Sequence, residues 1–205
     1  MSNPLIPTLT LNTRLLPFRD YDEHEVINLF ALNQTGVAGM LVTPQVNTPS
    51  NDQGYSSTTP FGAAFNLTES LRYVTTSLVA PTSGGEGKLR TLGLTLYSTQ
   101  EYDENGQILK YNPHRLKELS AVLSGQQVPI LKRGLVTLYN TAYIGTPAVG
   151  QVGVPYTGGN GLIQVVDPGT LGYSGQPYKP SDVIGKFISS TGVEFGGYAL
   201  FLLDC

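Results

Sequence analysis

The densest set of groups able to hold a cation or move a proton is Asp20, Asp22, Glu23, His24 and Glu25. A calcium loop needs oxygen ligands at its first, third and fifth positions, Gly at the sixth and Glu at the twelfth. Counted from Asp20, the sixth and twelfth positions are Glu25 and Ala31, so the pattern fails. Extended backbone would also send successive side chains to opposite faces. These residues therefore read as an acidic patch facing solvent or a partner. Glu101, Asp103 and Asn105, followed by Gly106, match the first half of such a loop better. Their twelfth position is Asn112, and strand-like runs flank them where a calcium loop needs helices, so a tight turn is expected.

Other reactive patterns are missing. His24 and His114 are the only histidines, too few for a cupin-like metal centre, and His114 reads as a surface residue. No Gly-x-Ser-x-Gly elbow occurs. The single cysteine, Cys205, is the last residue, which disfavours both an internal disulfide and a thiol nucleophile. Gly84-Gly-Glu-Gly87 and Gly158-Gly-Asn-Gly161 lack the following helix that would converge amides on a phosphate; Leu-Ile-Gln-Val-Val follows Gly161. Asn33-Gln-Thr35 and Asn66-Leu-Thr68 are formal glycosylation sequons, but no secretory leader precedes them. The expectation is a non-enzymatic chain with no cofactor and no metal.

Charge points the same way. Charged residues make up 13% of the chain, about half the usual share. The net charge of −3 disfavours an electrostatic grip on nucleic acid. No run approaches the ~20 apolar residues of a membrane helix. Residues 1–87 hold three Arg, no Lys and seven acids, whereas residues 88–205 carry a net charge of +1. Twelve tyrosines stand beside no tryptophan, and most lie in the second half. Tyrosine, amphipathic with few rotors, suits subunit contacts and strand packing, and a sugar-stacking face is a further use.

The elements that must position these groups are mostly strands. Residues 1–19, broken by Pro4, Pro7 and Pro17, read as an extended arm. Residues 20–87 read as a β-rich region. In it Val26–Leu32 pairs through Asn33–Gly36 with Gly39–Thr43, and a helical turn at Asp22–Glu25 is the lesser alternative. A long polar loop spans 44–62, Arg72–Leu78 reads as strand, and Ser83–Gly87 is a flexible break. In residues 88–205, Lys88–Tyr111 reads as a hairpin turning at Asn105-Gly106. One short helix, about 113–124, follows, capped by Asn112 and started by Pro113, with Leu116, Leu119 and Leu123 on one stripe and Gly125 stopping it. Short apolar strands then recur at 128–131, 134–139, 161–166, 182–188 and 197–203, cut by Gly and Pro. The fold class expected is mainly β, a barrel or sandwich.

Two stretches carry a resemblance: Val128-Pro-Ile-Leu-Lys-Arg-Gly-Leu-Val-Thr-Leu138 with its following strands, and Val183-Ile-Gly-Lys-Phe-Ile-Ser-Ser190 followed by Gly196-Gly-Tyr-Ala-Leu-Phe-Leu-Leu-Asp204. Over roughly residues 120–204 the chain resembles the small β-barrel head decoration, or cement, proteins of tailed bacteriophages. Phe18–Ala31 also looks like an entry strand of a phage virion protein, while residues 44–112 exceed what compact members carry. The resemblance implies a virion protein made in the host cytoplasm. It would bind the major capsid protein on the outside of an icosahedral head, commonly as a homotrimer, without nucleic acid or membrane. The arm and its junction would then supply the partner-binding residues Arg14, Phe18, Arg19, Asp20 and Tyr21. The alternative is a carbohydrate- or receptor-binding module of a head fibre or adhesin.

Overall fold

A computed structural model describes residues 14–28, 30–32, 36–44, 73–77, 91–103, 105–123, 126–156, 158, 160–172, 178–190 and 197–205. The fold is mainly β, in keeping with a barrel or sandwich, and one of its sheets curls into a half barrel. Residues 1–13 of the expected arm, most of the 44–62 loop, the 83–87 break and both sequons lie outside the described residues. No helix among the described residues is long and apolar enough to cross a membrane.

The larger sheet has seven strands. They are β1 (Leu15–Asp20), β10 (Arg133–Tyr139), β11 (Tyr143–Ile144), β12 (Val152–Pro155), β13 (Ile163–Val166), β14 (Gly185–Ser190) and β15 (Tyr198–Asp204). Their order is β1-β10-β15-β14-β12-β13-β11, antiparallel except for the parallel pair β11–β13. The smaller sheet holds β2 (Val26–Ile27), β3 (Phe30–Leu32), β4 (Leu41–Pro44), β5 (Tyr73–Ser77), β6 (Gly93–Thr95) and β9 (Ile130–Leu131), in the order β2-β9-β6-β4-β5-β3. A parallel pair, β7 (Ser98–Thr99) and β8 (Ala121–Val122), stands apart.

Between the two large sheets lies the main core. Val136 and Leu138 of β10 and Ala199, Phe201 and Leu203 of β15 meet Leu41, Leu94 and Leu131 of the smaller sheet. Phe187 stacks obliquely on Phe201 at 4.8 Å between ring centres, and Tyr143 meets Phe187 edge-on at 5.9 Å. A second cluster, Leu32, Met40, Val42, Val128 and Ile130, covers the other side of the smaller sheet. Leu15, Ala38 and Leu41 come from before residue 88, and the rest of the main core from after it, so both halves of the sequence build one interior.

Three local expectations are corrected. The hairpin of Val26–Leu32 with Gly39–Thr43 does not form: β2 pairs with β9, β3 runs parallel to β5, and β4 lies between β5 and β6. The 88–111 hairpin shrinks to its turn. Gly106, at φ +76°, closes that turn onto the Asp103 carbonyl and one bridge joins Tyr102 to Ile108, but the Gly93–Thr95 run pairs with β4 and β9. The helix α1 (Pro113–Glu118), the one α-helix among the described residues, stops six residues early. Its start is as read: Asn112 accepts the Arg115 amide at 3.2 Å and Pro113 opens the first turn. Its end yields to the strand pair, where the Ser98 and Gln100 amides bond the Ser120 and Val122 carbonyls.

A ladder of hydroxyls reinforces the backbone bonds that tie residues 36–40 to 95–99, among them the Gly39 amide on the Thr95 carbonyl and the Thr99 amide on the Gly36 carbonyl. The Ala38 amide bonds Ser98 Oγ at 2.8 Å and the Gly36 amide bonds Thr99 Oγ1 at 2.6 Å. Thr95 Oγ1 accepts from the Met40 amide and donates to the Val37 carbonyl, both at 3.0 Å. The three hydroxyl residues are buried, so each bond is made away from water.

Candidate functional site

The acidic cluster resolves into a capped turn. Glu23–Glu25 form a 3-10 turn whose entry is capped by Asp22, its Oδ1 accepting the His24 amide at 3.0 Å. Asp20, Asp22, Glu23 and His24 are exposed. No group of three or more His, Cys, Asp and Glu that could hold a metal occurs among the described residues. The Asp103 carboxylate likewise serves its own turn, accepting the Asn105 and Gln107 amides at 2.9 and 2.7 Å.

Of the five residues read as partner-binding, the four with described side chains have different surroundings. The Arg14 guanidinium donates to the Asn160 carbonyl at 2.8 Å, and burial lowers its pKa from the usual arginine value. Arg19 turns back on its own strand, Nε bonding the Leu16 carbonyl at 3.0 Å across the irregularity in β1. Tyr21 packs on the core beside Gly134, whose positive φ of +149° brings the backbone against the tyrosine Cβ. Asp20 points to solvent, and the side chain of Phe18 lies outside those described. Residues 15–19 of the expected arm are thus an edge strand of the protein's own sheet, paired to β10. Of the glycine cluster 158–161, Gly161 serves packing: it sits against Met40 and Leu41, and its carbonyl accepts the Leu41 amide at 2.9 Å.

Among the described residues, two apolar surfaces stand out. One lies around the turn and α1. Tyr111 is 78% exposed, Tyr102 57% and Ile108 49%. Tyr102 and Ile108 line a shallow cleft of about 390 Å³ with Glu101, Lys110, Leu123 and Gln126. Leu109, fully buried beneath, and the 3-10 turn Leu109–Tyr111 hold the segment in place.

The second surface is the outer face of β10 and β15. Their register sets Leu135 opposite Leu202, Thr137 opposite Leu200 and Tyr139 opposite Tyr198. Tyr198 is exposed and the other five are half-buried, while the alternate residues Val136, Leu138, Ala199, Phe201 and Leu203 fill the core. An antiparallel sheet with one solvated face normally alternates apolar and polar residues. Here both faces are largely apolar. The sequence carries the signal as an unbroken apolar run, Tyr198 to Leu203, where a half-exposed strand would alternate.

One ion pair marks the end of this face. Arg133 sets Nε and Nη2 on Asp204 Oδ1 at 2.9 and 2.8 Å, and its pKa is raised by that hydrogen bond, by the Asp204 charge and by Glu25. Compared with known proteins, the chain matches no protein-family model and no curated sequence.

Proposed function

We propose that this protein is a virion structural protein, a decoration or cement protein that binds the outside of an icosahedral phage head and stabilises it. One observation carries the reading: a small β framework displays two separate apolar surfaces, the Tyr102–Ile108–Tyr111 segment and the outer face of β10 and β15. A cement protein needs a shell contact, and one that binds as an oligomer also needs a contact with its own copies. Many identical sites on a shell make modest contacts sufficient through multivalency. Binding the assembled shell and not its free subunits stabilises it by mass action. The low charge supports contact through packing more than through electrostatic capture. On this reading the major capsid protein is the principal partner and the Tyr102–Ile108–Tyr111 segment the surface that meets it.

The test is add-back to purified heads stripped of the protein. The full chain is expected to co-sediment with heads and raise the temperature at which they release DNA. Ile108→Glu should weaken that binding by about tenfold or more, since it sets a charge against an apolar contact. Heads that bind none of the added chain would end the proposal.

The cleft supports a second reading. An exposed Tyr102 beside Glu101, Lys110 and Gln126 combines a stacking ring with hydrogen-bonding groups, the pairing a saccharide uses. Calorimetry against a panel of oligosaccharides would detect it, and Tyr102→Ala should abolish any heat observed.

A further inference from the structure

We propose that the outer face of β10 and β15 pairs with the same face of a second copy of this chain about a two-fold axis. The register makes the face self-complementary. Asp20 of β1 stands beside Leu135, Leu135 faces Leu202, and Leu202 faces Lys186 of β14. Directly opposed residues in an antiparallel ladder share a face. One row across four strands therefore reads acid, leucine, leucine, base. Asp20 and Lys186 are both exposed.

A two-fold axis parallel to the strands, lying between β10 and β15, exchanges the two halves of each row. Leu135 of each copy then stands over Leu202 of the other, and Tyr139 over Tyr198. Asp20 of each copy meets Lys186 of the other, giving two equivalent ion pairs at the flanks of an apolar centre. Sliding one copy by a strand sets the lysine over leucine and loses both pairs, so charge fixes the register. Such isologous contacts are the commonest in soluble oligomers. Aligned sheets packed face to face tolerate the twist this requires.

The size of the face fits a weak pair. Four strands ~4.8 Å apart, of six or seven residues at ~3.4 Å each, cover about 420 Å² per copy, about 850 Å² in total before side-chain relief is added. That is near the ~1,000 Å² at which specific interfaces begin, so a weak, concentration-dependent association is expected. The symmetry is two-fold, in place of the three-fold that the resemblance implies.

Sedimentation velocity on the full chain across a concentration series tests this without any phage head, so its outcome is separate from that of head binding. A monomer–dimer equilibrium is expected. Asp20→Lys and Lys186→Asp should each weaken it about tenfold, because each turns both ion pairs into like-charge contacts. An equimolar mixture of the two variants should restore association as a heterodimer, since every flank again pairs opposite charges. Leu202→Glu, with its fold checked by circular dichroism, should raise the dissociation constant about a hundredfold or more. A chain that stays monomeric, an oligomer that these variants leave unchanged, or a mixture that fails to recover would each overturn the pairing.

Discussion

Phe201 explains two glycines that no turn requires. Its ring lies across Gly153 of β12 and Gly185 of β14, which are opposite one another in the ladder. A methyl group on Gly153 would sit 2.6 Å from the ring, and one on Gly185 would meet both the ring and the Leu202 carbonyl. Gly153→Ala is expected to lower stability by about 1–3 kcal/mol through overpacking, read by urea denaturation. Thr95 is the hydroxyl counterpart. Thr95→Val keeps the shape but strands the Met40 amide and Val37 carbonyl, an expected loss of about 1–3 kcal/mol in the same assay. Tyr143 sets an alkaline limit. Its hydroxyl donates to the Gly197 carbonyl at 2.9 Å, and burial raises its pKa above the ordinary tyrosine value of 10. Its contribution is thus complete below pH 10, where the unfolded phenol is still neutral, and is lost as pH rises through the folded value. Stability followed between pH 8 and 12 should fall beyond about 10, and Tyr143→Phe should flatten that fall.

At the scale of elements, the junction between α1 and β8 decides the path of the chain. Ser120 takes φ +47°, a left-handed conformation that most side chains avoid. It turns the chain from the helix into Ala121–Val122, and the helix closes with the Leu119 amide on Arg115. Ser120→Gly should be neutral or stabilising by up to about 1 kcal/mol, whereas Ser120→Val should destabilise, by thermal denaturation. The edge strand β1 shows a different device. Its pairing with β10 is irregular between Leu15 and Arg19, and Pro17, which lacks an amide proton, falls inside that gap. Proline and irregular pairing both discourage a further strand from joining an edge. The part of the arm inside the described residues is therefore committed to its own sheet, and its outer edge is poorly suited to strand addition.

For the whole molecule, the decisive fact is that strands distant in sequence share one interior. β1 and β4, from the first quarter of the chain, close over strands from residues 93 to 204. A fragment starting at residue 88 would lose Leu15, Ala38 and Leu41 and strip β6 and β10 of one neighbouring strand each. It is expected to be protease-sensitive and to lack the near-ultraviolet signal of packed tyrosines, whereas the full chain should show both resistance and signal.

The mainly β class, the strands of the second half, the Asn105-Gly106 turn and the capped start of the helix were all legible in the residues. Each follows from local chemistry: β-branched and aromatic runs, glycine at positive φ, a side chain bonding a free amide three residues on. Pairing partners and the early end of α1 were not legible, and the apolar run Tyr198–Leu203 signalled a second apolar face without showing which residues lie on it. They depend on which segments far apart in the chain come together. A leucine at 202 is equally apolar whether it points inward or outward, and only its register against Leu135 and Lys186 settles its side. For the same reason the bond from Arg14 to the Asn160 carbonyl and the packing of Tyr21 on the core were not legible. Composition and local pattern determined what this chain is made of; the closing of distant strands over a shared core decided which of its residues are left to meet another molecule.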